Sequence, residues 1–151
     1  MVLRVNSPGG SAFGSEQIWY AVTELKKEKP VIVSMGDYAA SGGYYISCNA
    51  DTIVAEPTTL TGSIGIFGMF PNASGLFGKL ALTTDIVKTN TFSDLGDLSR
   101  PMTESEKALI QGYVERGYQT FLSRCAEGRG MTTEAVNAIG QGRVWTGEQA
   151  K

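Results

Sequence analysis

The apolar positions of the chain switch repeatedly between a period of two and a period near 3.6. Val2-Leu3-Arg4-Val5 reads as a strand that runs into the turn Asn6-Ser7-Pro8-Gly9-Gly10. Behind it Ile18, Ala21, Val22 and Leu25 recur at helical spacing, and Pro30 closes that helix. Val31-Ile32-Val33-Ser34-Met35 predicts a buried strand, followed by a small-residue helix from about Ser41 to Asn49, a strand at Thr52-Ile53-Val54-Ala55 and a turn at Glu56-Pro57. Ser63 to Phe70 predicts a further strand, with a short helix near Leu76 to Leu80 and a strand at Asp85-Ile86-Val87 after it. The longest helical pattern opens at Thr103, where Thr103 and Glu106 make a capping box. Its stripe of Leu109, Ile110, Tyr113, Val114, Gly117, Tyr118, Phe121, Leu122 and Cys125 is expected to pack into the core and to end at Gly128. Val144-Trp145 reads as a short strand and Thr146 as the cap of a helix start. Strands separated by helices imply an α/β fold with a mainly parallel sheet. There is no internal repeat, and both edges are abrupt enough to suggest a piece of a longer polypeptide.

Composition narrows the chemistry. At 151 residues, 42% apolar and 19% charged, the chain is the size of one domain, expected over residues 1–151. Thirteen basic against fifteen acidic residues leave a net charge of -2, which gives no pull toward nucleic acid. There is no histidine, so a Ser-His-Asp triad, a Cys-His pair and imidazole metal ligation within these residues are excluded. Acid-base chemistry falls to Lys, Asp, Glu or Tyr. Cys48 and Cys125 are too few and too far apart for a zinc framework and are expected as small buried core residues. No cofactor and no metal is expected. No stretch reaches the roughly 18 apolar residues of a membrane span.

Two glycine-rich strand-to-helix junctions are the candidate sites, because chemistry in α/β folds collects at the carboxyl ends of strands. In Asn6-Ser7-Pro8-Gly9-Gly10, adjacent glycines would let backbone N–H groups approach a ligand as an oxyanion site requires; the same residues also make an ordinary tight turn. In Asp37-Tyr38-Ala39-Ala40-Ser41-Gly42-Gly43-Tyr44-Tyr45, one serine framed by alanines and glycines opens a helix. Small neighbours clear space around its hydroxyl, as a nucleophile needs, while serine is equally a routine helix N-cap.

Taken in order, these junctions, then Ala50-Asp51-Thr52-Ile53-Val54-Ala55-Glu56-Pro57, Leu60-Thr61-Gly62-Ser63-Ile64-Gly65, Arg100-Pro101-Met102-Thr103 and Gly128-Arg129-Gly130-Met131, resemble the signal peptide peptidase A family of Ser/Lys peptidases. The resemblance implies a Clp/crotonase-like fold. It implies Ser41 as nucleophile, an uncharged lysine as general base, Ser63 as the residue orienting that lysine, and an oxyanion hole from the N–H groups of Gly42 with Gly9 or Gly10. It further implies an apolar, signal-peptide-like substrate, a homo-oligomer, and a full-length protein anchored in a bacterial inner membrane with its catalytic part on the extracytoplasmic side.

The lysine is the departure. Where short members of the family carry a Lys-Asp pair, this chain reads Ser93-Asp94. Lys88 lies near but at a strand end, and Lys26, Lys27 and Lys29 read as a solvated face. Long members of the family hold the lysine in an amino-terminal repeat and the serine in a carboxyl-terminal one. The expectation is therefore that this chain is the second repeat, with the partner repeat of the same polypeptide supplying the base. Ile64, Ile66, Phe67, Met69 and Phe70 would line a groove for an apolar peptide, or else form a buried strand with a subunit contact. Asn72-Ala73-Ser74 matches a glycosylation acceptor and is expected to be a turn. Two other classes compete: a non-catalytic binding or assembly half, and a crotonase-like acyl-CoA enzyme that also holds an oxyanion on two backbone N–H groups.

Overall fold

A computed structural model describes all residues 1–151. They form two compact units: Met1–Ile66 with Arg116–Lys151, and Phe67–Glu115.

The first unit is built on a five-stranded sheet. β1 (Val2–Ser7) leads through α1 (Ala12–Lys26) to β2 (Ile32–Ala40), which passes straight into α2 (Gly42–Ser47); β3 (Thr52–Val54) and β4 (Leu60–Gly62) follow. β2 is long enough to serve three partners. β1 runs parallel to it, with Val5 opposite Met35. Ile32–Ser34 pair in parallel with β3, and Tyr38–Ala40 pair in parallel with β4. β5 (Val144–Thr146) closes the sheet antiparallel to β4. The mainly parallel α/β sheet expected from the pattern is present.

Local chemistry explains the helix ends. The Ser11 side chain caps α1 by accepting from the Gly14 N–H. The Thr132 side chain does the same for α5 (Thr133–Ile139) at Ala135 N–H, a helix whose short apolar pattern had not announced it. Two apolar clusters hold the layers. Val5, Val22, Val31, Val33, Met35, Ala39 and Ala50 pack together in one; Trp19, Tyr45, Cys48, Ile64, Phe121, Leu122, Cys125 and Val136 form the other. Both cysteines are buried and unbridged, as expected. Full burial of a side chain such as Phe121 contributes roughly 1.5–3 kcal/mol.

The second unit contains α3 (Ser74–Lys79) and the beginning of α4 (Glu104–Arg129), a helix that ends in the first unit. The Thr103–Glu106 capping box forms: Thr103 N–H donates to the Glu106 carboxylate at 2.7 Å, and Glu106 N–H donates to Thr103 Oγ1 at 3.3 Å.

Several expectations are corrected. Ser63 to Phe70 is not a strand: β4 stops at Gly62, Ser63 turns to a φ of 50°, and Gly65 and Gly68 interrupt any ladder. Asp85-Ile86-Val87 is irregular too, because no neighbouring strand offers it hydrogen bonds. The helix expected from Ser41 to Asn49 is shorter, Gly42–Ser47, because the positive φ of Ser41 keeps it out of the helix and Cys48 is already the C-cap. In α4 only the later stripe is core: Phe121, Leu122 and Cys125 are buried, while Leu109 and Tyr113 face solvent. Lys26 is not part of a solvated face; its ammonium donates to Asn49 O at 2.6 Å and lies 3.5 Å from the Asp51 carboxylate.

Candidate active site

The site is organised by the strand register. Ala40 of β2 pairs with Gly62 of β4, so the residues that follow, Ser41 and Ser63, emerge side by side at the same end of two neighbouring parallel strands. A backbone bond ties them: Ser41 N–H donates to Gly62 O at 2.9 Å. The carboxyl ends of parallel strands are where such sheets place their ligands.

Ser41 occupies the N-cap position of α2, yet its side chain makes no capping bond. Its backbone sits at φ 52° and ψ -119°, a region costly for a residue with a Cβ, of order 1–3 kcal/mol. A routine cap would have ordinary extended angles and a hydroxyl bonded to a helix N–H. Ser41 has neither, which removes the cap as an account of the residue and leaves a half-buried hydroxyl on a strained strand-to-helix turn.

The Pro8-Gly9-Gly10 turn wraps over this hydroxyl. Gly9 takes a φ of 115°, and a Cβ there would fall 2.7 Å from Ser41 Cβ and 2.9 Å from Gly42 N. A Cβ on Gly42 would lie 2.6 Å from Ser15 Oγ and 3.3 Å from Gly10 N, and one on Gly43 would lie 2.4 Å from Ser7 O. The two junctions are therefore one site, and glycine is needed there because backbone meets backbone. Within it the donors divide. Gly9 N–H is spent on Ser7 Oγ at 3.2 Å. The N–H groups of Gly10 and Gly42 make no hydrogen bond within the protein.

Ser63 is held from the other side. Its N–H donates to Arg143 O at 2.7 Å, and Gly142 N–H donates to Ile64 O at 2.8 Å. Gly62, at φ 75°, lets the Trp145 ring close over the turn; a Cβ would meet Trp145 Cδ1 at 2.7 Å. Tyr118 supports the segment beneath: its hydroxyl donates to Asn137 Oδ1 at 2.7 Å and accepts from Gln141 N–H at 2.9 Å.

Three supporting residues lie in the motifs but had no role assigned to them from the sequence. Asn6 sits at an irregularity between Val5 and Ser7, and its Oδ1 accepts from Tyr38 N–H at 3.1 Å, docking the turn on β2. Ser7 fixes Gly9. Thr61 Oγ1 donates to Ala39 O at 2.8 Å, locking β4 to the end of β2. The Asn-Ser-Pro-Gly-Gly motif marked Asn6 and Ser7 as turn residues; only the pairing shows what they hold.

Four of the seven lysines are engaged in ion pairs. Lys27 pairs with Glu24 at 2.6 Å, Lys88 with Asp94 at 3.0 Å, Lys107 with Glu104 at 2.7 Å, and Lys26 with Asp51. The Glu24 carboxylate raises the Lys27 ammonium, the wrong direction for a base. Among the apolar residues expected to line a groove or form a buried strand, Ile64 is core and Ile66 packs on it, whereas Phe67 is 90% and Met69 83% exposed. Asn72 forms a turn, its Oδ1 accepting from Ser74 N–H at 3.0 Å. No group of three His, Cys, Asp or Glu side chains could hold a metal ion. No helix is long and apolar enough to cross a membrane.

The chain has relatives along its whole length. The chain is 45% identical over 151 residues to "Protease 4" of Haemophilus influenzae, covering 99% of this chain and 24% of that protein. It is 38% identical over 150 residues to "Serine protease SPPA, chloroplastic" of Arabidopsis thaliana, covering 99% of this chain and 22% of that protein. It is 38% identical over 151 residues to "Putative signal peptide peptidase SppA" of Enterococcus faecium, covering 99% and 44%. The chain thus spans about a quarter of the first two relatives. The pattern of peptidase family S49 matches residues 23–151, from within α1 through both serine turns, so the chain belongs to peptidase family S49.

Proposed function

We propose that this chain is the nucleophile-bearing part of a serine endopeptidase that works with a Ser/Lys dyad, its lysine supplied by an amino-terminal repeat of the same polypeptide. The observation that carries the reading is Ser41: an uncapped hydroxyl at φ 52° between β2 and α2.

The chemistry follows from what surrounds it. Ser41 Oγ attacks the peptide carbonyl and gives its proton to a neutral lysine, whose ordinary pKa of about 10.4 must be lowered by an apolar site. Ser63, the residue after Gly62, orients that amine in this reading. Negative charge developing on the carbonyl oxygen is taken by the N–H groups of Gly42 and Gly10, the latter favoured over Gly9 because Gly9 N–H is already bonded. Losing one such donor costs about 10²–10³-fold in rate. The tetrahedral adduct then collapses: its C–N bond breaks as the protonated lysine gives its proton to the leaving amine, and the acyl ester left on Ser41 is hydrolysed by water with the neutral lysine again as base.

The substrate in this reading is an extended apolar peptide of the signal-peptide kind. Membrane anchoring of the full-length protein, an extracytoplasmic catalytic part and assembly into a homo-oligomer complete the reading. The isolated chain is inactive in it, because the base is elsewhere. The strained, uncapped serine weighs against both an assembly module and a crotonase-like acyl-CoA enzyme, neither of which requires it.

The experiment is cleavage of an apolar peptide by the full-length polypeptide with and without Ser41→Ala. The expected result is complete loss in the variant, together with slow fluorophosphonate labelling of the isolated chain; equal activity in both proteins removes the nucleophile assignment.

A further inference from the structure

Outside the two serine turns, the most elaborate polar cluster in the first unit joins α1, α2 and α4. The Glu16 carboxylate on α1 accepts a short hydrogen bond from the Tyr45 hydroxyl on α2. It also accepts from Arg124 on α4, at 2.5 Å from one terminal guanidinium nitrogen and 3.3 Å from Nε. The Arg124 guanidinium lies 4.0 Å from the centre of the Trp19 ring, and the Tyr45 ring meets Phe121 at 4.7 Å. Burial would raise the Glu16 carboxyl, but the hydrogen bonds from Arg124 and Tyr45 outweigh it and hold the group below its ordinary value. It is a carboxylate at neutral pH, and the three side chains are fully paired.

What this cluster does follows from where its helices begin. α1 opens just after Gly9-Gly10 and α2 just after Ser41, so the spacing of the two helices sets the spacing between Gly10 N–H and the Ser41–Gly42 turn. α2 has six residues, too few to hold a direction by itself. Its link to the serine is direct: Tyr45 N–H donates to Ser41 O at 2.8 Å, so a shift of Tyr45 is a shift of Ser41. A strained φ persists only where surroundings over-determine it. A half-exposed ion pair contributes little to stability, but catalytic groups must be held within about 0.5 Å.

We propose that Glu16, Tyr45 and Arg124 are positioning residues, a three-helix clamp that holds the Ser41 turn against Gly10 in the geometry for attack. The proposal rests on the peptidase reading above and assigns these side chains to preorganisation, with no contact to substrate.

The test uses the full-length polypeptide, an apolar peptide substrate and a fluorophosphonate. Tyr45→Phe keeps the ring on Phe121 and removes only the hydroxyl. The expected result is a fall in kcat of roughly tenfold with KM unchanged, the signature of an interaction felt in the transition state. Labelling of Ser41 slows by the same factor, while the melting temperature stays within about 2 °C of wild type. Glu16→Ala falls further, and Glu16→Gln, which can still accept from Tyr45, recovers part of the loss. Ser41→Ala separates the two claims. If it is inactive while Tyr45→Phe and Glu16→Ala keep kcat and labelling within twofold of wild type, the clamp alone is overturned. If activity falls only in step with the folded fraction, the clamp is also overturned in favour of plain stabilisation. If Ser41→Ala stays active, the peptidase reading fails with it.

Discussion

The two units use opposite means of holding together. The first unit contains every buried apolar side chain of the molecule, all but Ala40 in two clusters. In the second unit, Phe67–Glu115, the only buried residue is Glu106. It is organised by charge: Arg100 donates to Glu106 at 2.5 Å and to Asp94 at 2.7 Å, and Lys88 reaches Asp94 from the other side. Meanwhile its apolar side chains face solvent, Val87 at 96% and Phe67 at 90%. Apolar content therefore does not make a core. In the first unit the apolar residues lie on strands and helices whose periods present them to one another, whereas the second has no sheet to supply a second layer.

The contrast can be broken from either side. The largest effect is expected from Phe121→Ala, which empties the centre of one cluster and should cost about 3–5 kcal/mol in a denaturant titration. A loss below 1 kcal/mol would mean that the cluster is not the main support. Next comes Gly9→Ala, where a Cβ would collide with Ser41 Cβ and Gly42 N. Peptidase activity of the full-length protein should fall about 10²-fold or more, comparable to deleting an oxyanion donor, with the first unit otherwise folded.

Arg100→Met should act only on the second unit. It leaves Glu106 and Asp94 without their shared partner, so hydrogen exchange of residues 94–107 should speed up while the β2 amides stay protected. Faster exchange throughout the sheet would contradict the separation. Acid reaches the same cluster without mutation. Hydrogen bonds first from Arg100 and then from Thr103 hold the Glu106 carboxyl at about 2, below its unfolded value of about 4.3. A depressed carboxyl stabilises fully above the unfolded value and is lost as pH falls toward the folded one, so the second unit should loosen between about pH 4.3 and pH 2. Exchange of the Thr103–Glu106 amides followed across that range checks it. The smallest effect is expected for Phe67→Ser, a solvent-facing side chain, at no more than about 0.5 kcal/mol. A larger loss would show that Phe67 is covered in solution.

The legible and illegible parts of the chain follow the same division. Val2–Val5, the helix through Ile18 and Leu25, the strand from Val31 and the second half of α4 could be read from apolar period alone, because Val5, Val22, Val33 and Phe121 pack into the core where that period puts them, although Ile18 and Ala21 stay exposed. Ser63 to Phe70 and Asp85 to Val87 carry equally strand-like residues and form none. A strand exists only through its neighbours, and nothing in a local window reports whether a neighbour is there. Leu109 and Tyr113 repeat the lesson on a helix: the spacing is right, and no layer covers them.

The candidate site divides likewise. Composition was enough to exclude histidine chemistry, the two glycine-rich junctions were enough to mark Ser41 and the glycine pairs, and Ser63 and the position of the expected lysine came from the family resemblance. These are matters of which atoms the chain owns. Whether Ser41 caps a helix or stands strained with its hydroxyl free, whether Gly9 or Gly10 keeps an open N–H, and whether Tyr45 and Arg124 reach Glu16 depend on angles and on residues as many as 108 positions apart. Tertiary structure decides them, because a positive φ and a spent donor are properties of what the backbone packs against, and that partner is set by the sheet register.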